Sequence, residues 1–403
     1  MKRTARWFDR IWYAQNFLRG FILLYPVAAI WMLADGLSPA ELSLLFIVWS
    51  GSAMAFEVPS GVIADRFPRP RILAVAFLIK ASGFSVWWAF PEFAGYAAGF
   101  ALWALAGALL SGASESFLFE SLQAQGRTAA FETVYGRGDA SELTGILIAL
   151  GLGGYLAENG RDPVYFLSII VPLVTALLCL TLLHEPRAAK AAIQDHSSFV
   201  DGLRQGIRDA LTSRLILLII ATFAILHLVP EALDEYFAPL LNELPDLSLS
   251  TIGLLLAAFT TAIIAGSLVA DRFAAGGLKR VLAIYGMAGC VLLFPASAPT
   301  WLAIICILTM NFLHGMGTVI LQGALQRSIT GEARSTVTSL ASFTQSLVSL
   351  PFYGLFGWYA TGNGFVSALT MTGVFTVIAA LLLWTLLLLA LPGTGERPQE
   401  SDV

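Results

Sequence analysis

Apolar residues fall into twelve runs, each long enough to cross the ~30 Å hydrocarbon core of a bilayer as a helix. They cover 11–34 (α1), 40–64 (α2), 71–90 (α3), 95–120 (α4), 138–159 (α5) and 163–184 (α6). A second set covers 213–241 (α7), 250–271 (α8), 279–296 (α9), 299–325 (α10), 335–360 (α11) and 364–391 (α12). The pattern predicts an all-α integral membrane protein of two pseudo-symmetric six-helix bundles. The N-terminal bundle spans 1–184, a cytoplasmic linker 185–212, the C-terminal bundle 213–391 and a cytoplasmic tail 392–403. Within the linker, Phe199, Leu203, Ile207 and Leu211 recur at every fourth position among charged neighbours. That spacing predicts an amphipathic helix with Ser197 or Ser198 as its N-cap.

Charge then orients the runs. Of the 23 lysines and arginines, Arg161 alone falls in a segment on one side of the membrane. Arg19 and Lys80 lie within helices, and all the others fall on the opposite side. Positive charge concentrates on the cytoplasmic face, so both termini are expected there. The chain is 57% hydrophobic and 12% charged, with a mean hydropathy of +0.76. A soluble globule carries about twice that charge. Net charge is -4 and the basic residues are scattered between apolar runs rather than gathered in a patch, so no nucleic-acid partner is expected. Cys179, Cys290 and Cys306 lie inside apolar runs without metal-ligand spacing, so no metal site is expected. No Gly-x-x-x-x-Gly-Lys-[Ser/Thr], His-Glu-x-x-His or Gly-x-Ser-x-Gly motif occurs. Direct use of ATP and enzymatic chemistry are therefore not expected, and no cofactor is implied. The basic amino terminus runs into a long apolar stretch without a cleavage signature and reads as a retained first helix.

Two polar turns carry the strongest signal. Ala-Asp-Arg-Phe occurs at Ala64–Phe67 and again, about half the chain later, at Ala270–Phe273. Each copy ends an apolar run and precedes basic residues, a mark of duplication. The six-plus-six layout and these turns resemble the major facilitator superfamily. Its α2–α3 loop pattern, Gly-x-x-x-Asp-Arg-x-Gly-Arg-[Arg/Lys], is matched by Gly61, Asp65, Arg66 and Arg69, with Pro68 in place of the second Gly. The upstream Glu57-Val-Pro59-Ser60-Gly61 is similar to a bacterial branch grouped with drug:proton antiporters. In α5, Gly153-Gly154 matches that branch, but Ala149-Leu150 stands where Gly-Pro would be, and α4 lacks the branch's Arg.

The resemblance implies a secondary active transporter working by alternating access. Proton-coupled efflux of a small amphipathic or hydrophobic compound is expected. A proton-coupled importer or exporter of a polar metabolite or metal chelate is the alternative. The expected setting is the bacterial inner membrane, with a monomeric chain, a small-molecule substrate, protons and lipid as partners. The resemblance also makes Asp65 a gate latch at the start of α11, with Asp271 its counterpart. Arg66, Arg69 and Arg272 accompany these turns, and Asp139 joins a gating network at the ends of α4 and α5.

Helical rise places Glu57 about 12 Å, and Arg19 and Lys80 about 13 Å, inside the cytoplasmic boundary. Ionisable groups at such depth are costly unless functional or paired. Glu57 with Arg19 is a proton-coupling candidate, as are Glu115 and Glu142; a static Arg19–Glu57 or Lys80–Glu57 pair is the other reading. In α7, His227, Glu231 and Asp234 share one face. With Phe56, Asn311, His314 and Gln345, His227 and Glu231 are candidates to line a substrate cavity; neutral polar groups at such depth also serve as interhelical hydrogen bonds. Trp87 and Trp88 read as an interfacial belt.

Overall fold

Helix α2 begins where the sequence says a helix can. Ser38 and Glu41 form a capping box around Pro39 at the first helical position, with Glu41 N–H donating to Ser38 Oγ at 3.2 Å and Ser38 N–H donating to Glu41 Oε2 at 2.8 Å. The helix runs Pro39–Arg66 and ends on the first Ala-Asp-Arg-Phe turn. The computed structural model describes residues 2–183, 213–295, 298–328 and 334–390. The amphipathic linker helix, the tail and the start of α11 expected as the Asp65 docking point lie outside them or have undescribed side chains, as does the Asp65 side chain itself.

The remaining helices are α3 (Arg69–Ala89), α4 (Phe93–Ala124), α5 (Phe131–Ala157) and α6 (Arg161–Leu182). Then follow α8 (Leu249–Val269), α9 (Gly277–Val291), α10 (Thr300–Ser328), α11 (Arg334–Asn363) and α12 (Phe365–Ala390). Among the described residues, nine helical segments are long and apolar enough to cross a membrane. One of these segments joins α8 and α9; α1 is excluded by its charges and α11 by its serines and threonines. The described residues are thus helical at all twelve spans that the apolar pattern predicts.

Two helices depart from regularity. The predicted continuous α1 is broken into Lys2–Gly20 and Ala28–Ala34, with turns between. In the break, Tyr25 N–H donates to Ile22 O at 3.4 Å and Val27 N–H to Leu24 O at 3.1 Å, a three-residue spacing in place of the helical four. Pro26 lies inside this stretch and has no N–H to give to a helix. Helix α7 comprises Arg214–Thr222, a π-helical turn at Phe223–His227, and Leu228–Glu243. The two Ala-Asp-Arg-Phe copies also differ: the first closes an α-helix, whereas the second lies in a 3₁₀ segment, Ala270–Gly276.

By packing, the described residues divide into two compact units. The first lies within Met1–Gln194, Ala232–Thr261 and Ser346–Leu369; the second lies within Asp195–Glu231, Ala262–Gln345 and Thr370–Val403. In the first, Trp12, Phe77, Phe117, Leu122 and Cys179 bring α1, α3, α4 and α6 into one core. In the second, Ile219, Val281, Tyr285, Ile320 and Leu383 do the same for α7, α9, α10 and α12. Large apolar side chains left exposed, such as Leu177 and Leu180 on α6 and Leu381 and Leu389 on α12, suit a hydrocarbon solvent.

Carboxylates cap the starts of two helices, and both starts lie in the first unit. Glu243 accepts from Phe365 N–H at 2.8 Å, behind Gly364 with φ of +81°. Glu158 accepts from Ser250 N–H at 3.1 Å at the start of α8, and hydrogen bonds from Ser250 and Ser248 hold its carboxyl below the usual carboxylate range. A lowered folded-state value contributes stability above the unfolded value of 4.5 and loses it as pH falls through the folded one. Acidification below that range is therefore expected to lower the protection of the Ser250 amide against hydrogen exchange, relative to its intrinsic rate at the same pH. Glu158→Gln should remove that acid-dependent step; an unchanged acid profile in the variant would show that the cap is set by something else.

Candidate functional site

The break in α1 opens onto a cavity of about 350 Å³ within the first unit. Tyr25, Phe46, Trp49, Trp87, Phe100 and Trp103 give it an aromatic wall, and Asp234 and Glu235 of α7 reach it as carboxylates. Trp103 is the hub. Its ring lies 5.6 Å from Tyr25, 6.3 Å from Trp49, 5.7 Å from Trp87 and 6.1 Å from Phe100, centroid to centroid. These separations suit ring–ring attraction and leave a rigid, mostly apolar surface. Lys80 does not pair with Glu57. It is buried, with Nζ 5.4 Å from the Trp103 ring centroid, where the π face partly replaces lost water. Trp87 is also buried, donating its indole N–H to Tyr96 O at 3.0 Å; only Trp88 is exposed as an interfacial residue would be.

An ion pair lies next to this wall. Arg19, at the end of the first piece of α1, donates to Glu142 of α5, not to Glu57. Both side chains are about three-quarters buried. Glu142 is one turn from Ile146, which lines the cavity, so both share a helix face. The same face continues through Asp139 to Tyr135, whose hydroxyl donates to Glu115 at 3.1 Å. Tyr135, Asp139, Glu142 and Ile146 thus form a stripe from a carboxylate cluster to the cavity.

Glycines set how closely α1 and α5 approach. A Cβ at Gly145 would overlap the Phe17 carbonyl oxygen, one at Gly153 the Leu23 carbonyl, and one at Gly20 the Glu142 carbonyl. Gly145 and Gly153 of α5 are therefore backbone-contact points against the end of the first piece of α1 and the break that follows it.

The other expected residues divide cleanly. Glu57 is exposed on α2, and Phe56 is half-buried outside the cavity wall. Arg66 is exposed, while Arg69 makes a two-point contact with Glu120 at 2.7 and 3.1 Å. Asp271 and Arg272 are exposed in their 3₁₀ segment. In the second unit, by contrast, the structure gathers residues from three helices. His227 Nδ1 lies 3.5 Å from Glu231 Oε2, and Gln345 of α11 donates to the same Glu231 oxygen. The His227 and His314 rings are 5.0 Å apart, and Asn311 lies one turn before His314, bonded to Ile307 O at 3.0 Å.

Sequence reasoning did not identify Trp49, Tyr25, Asp234 and Glu235 as a common wall, nor the pairing of Arg161 with Asp35. Arg161 Nη1 donates to both Asp35 oxygens at 2.6 and 2.8 Å. Arg161's isolation on its face of the chain and Pro26 in α1 were the available signals.

Comparison with known proteins agrees with this architecture. The family model described as Major Facilitator Superfamily matches residues 16–353. A Bacillus subtilis (strain 168) protein described as the uncharacterized MFS-type transporter YxaM is 22% identical over 58% of this chain. The chain spans 59% of that relative's length. Among solved structures, a point mutant of the nucleoside transporter NupG superposes with a TM-score of 0.78, covering 94% of this chain and 99% of that one at 14% identity. An inward-facing bacterial homolog of the human lysosomal transporter Spinster gives 0.73 over 95% and 96% at 15% identity. A D-xylose-proton symporter gives 0.69 over 95% and 98% at 14% identity. At such identities the likeness is one of fold. The breadth of the family match carries the assignment: this chain, with its apolar membrane-length helices, belongs to the Major Facilitator Superfamily.

Proposed function

We propose that this transporter is a proton-coupled exporter of a small amphipathic compound, working by alternating access as a monomer in a bacterial inner membrane. The aromatic cavity beside a break in α1 supports this reading most directly. Its volume lies at the lower end of the range for small-molecule sites. An apolar body stacks on Trp103 and its neighbours, and a polar or positively charged head turns to Asp234 and Glu235. Discontinuous helices commonly line transport sites because irregular backbone is tolerated where it faces a cavity.

For coupling, Glu142 is the acid that the surroundings favour among those expected. It faces Arg19, sits one turn from the cavity wall and ends a stripe of acids on α5. A proton on Glu142 releases Arg19, and an occupied cavity alters the cost of that release. Glu57, exposed on α2, takes no part in this pair. Asp65, Asp271 and the neighbouring arginines act as gate and topology residues rather than in substrate recognition.

Reconstituted protein tests both parts. A fluorescent amphiphile should be driven by an imposed proton gradient in proteoliposomes, and cells lacking the protein should accumulate it in an uncoupler-sensitive manner. Glu142→Gln should lose at least tenfold in gradient-driven flux while retaining substrate exchange; Glu57→Gln should retain both. Gradient-driven flux that survives in Glu142→Gln and is lost in Glu57→Gln would return the coupling role to Glu57. Uptake of a polar solute, with no proton-linked flux of amphiphiles, would overturn export.

A further inference from the structure

The second unit holds a titratable cluster that the proposed function does not use. It starts from an irregularity in α7: the π-helical turn Phe223–His227 shifts the helical register just where His227 emerges. Wide turns of this kind are frequent at functional sites. His227 Nδ1 is buried and makes no hydrogen bond among the described residues, while Glu231 Oε2 waits at 3.5 Å. An unpartnered buried nitrogen is costly, and a proton on it would turn this contact into a charge-assisted hydrogen bond.

The groups facing the two imidazoles define what the cluster can hold. Phe223 packs on His227 at 5.3 Å between centroids. On α9, the buried Tyr285 places its hydroxyl 3.4 Å from His314 Nδ1. On α11, Gln345 is bound to Glu231. Among these facing groups the one acid is Glu231, and none is a lysine or arginine. Its side chain is 57% exposed, so protons reach it from outside the buried cluster.

We propose that His227 and His314, balanced by Glu231, form a binding site for one proton, separate from the Arg19–Glu142 pair. Two charged imidazoles with centroids 5.0 Å apart in a helix interior repel too strongly to coexist beside a single carboxylate. With both rings neutral, the site carries the negative charge of Glu231; with one proton added it is neutral. The proton arrives at the Glu231 carboxylate, passes to His227 Nδ1 and is shared with His314. Because Gln345 donates to the same carboxylate, the charge of the site sets the strength of the α7–α11 link.

The chain contains four histidines, His184, His196, His227 and His314, so histidine-selective nitrogen-15 labelling gives a tractable spectrum. His184→Gln and His196→Gln assign the other two signals. In intact protein in nanodiscs, the His227 and His314 signals should titrate together and gain one proton in total. Glu231→Gln should move that uptake to lower pH, with about tenfold weaker proton binding, roughly one pH unit. Two independent protonations, no protonation of either ring, or an unchanged midpoint in Glu231→Gln would each overturn the site. The proton count in the unmodified protein decides the matter even where a variant fails to fold. It also needs no substrate: a one-proton titration with no proton-driven flux would sink the coupled-exporter reading and leave this site standing.

Discussion

Replacing Gly145 with leucine is expected to abolish the folded protein, whereas leucine at Gly136 of the same helix should be tolerated. At Gly145 even a Cβ would overlap the Phe17 carbonyl oxygen of α1. That neighbour is backbone, held in turn by Gly20 and Gly153, so no side chain can rotate away. At Gly136 nothing lies within 4 Å of the place a Cβ would take. Overpacking costs about 1–3 kcal/mol where side chains can adjust, and a backbone clash belongs at or above the upper end, about 3 kcal/mol. Gly136→Leu should leave stability unchanged or slightly raised, since leucine favours the helix by under ~1 kcal/mol relative to glycine. The measurement is the monodisperse fraction after solubilisation, with the thermal midpoint of whatever remains. Equal behaviour of the two variants would show that α1 and α5 are not in backbone contact.

The second large effect is expected at Arg19. Arg19→Met takes away the cation that Glu142 pairs with, in a position about three-quarters buried. Removing one partner of a fully buried pair costs about 3–5 kcal/mol; residual solvent access reduces this to about 2–3 kcal/mol here. The double variant Arg19→Met/Glu142→Leu should recover most of that loss, because neither charge remains to be desolvated. It should fold and yet fail in gradient-driven flux. This separates the two roles of the pair: a loss in the single variant that the double variant restores is electrostatic. If the double variant is no more stable than Arg19→Met, the side chains contribute through packing instead.

These two predictions rest on contacts with different visibility in the sequence. Twelve spans were legible because every residue in a bilayer span must satisfy its backbone internally and present apolar atoms to lipid. That demand is local and leaves a run of ~20 apolar residues. The family was legible because the Ala-Asp-Arg-Phe turns interrupt such runs at matching places. Counting residues put Glu57 and Arg19 at one level, but level is not direction. Glu57 is exposed, and Arg19 meets Glu142, far along the chain in α5.

The chain by itself determined twelve apolar, membrane-length helical runs, a family signature in its two polar turns and a bias of charge to one face. It also marked His227, Glu231, His314 and Gln345 as polar groups in apolar surroundings, where burial demands a reason. Only the tertiary structure decided which of these meet, because the helix face turned to each neighbour depends on packing between distant segments. It broke α1 at Phe21–Val27, turned Trp87 inward and Trp88 outward, and gave Lys80 an aromatic face instead of a carboxylate. Hydrophobicity places a residue in the membrane; close packing of backbone at glycines such as Gly20, Gly145 and Gly153 selects the partner it finds there.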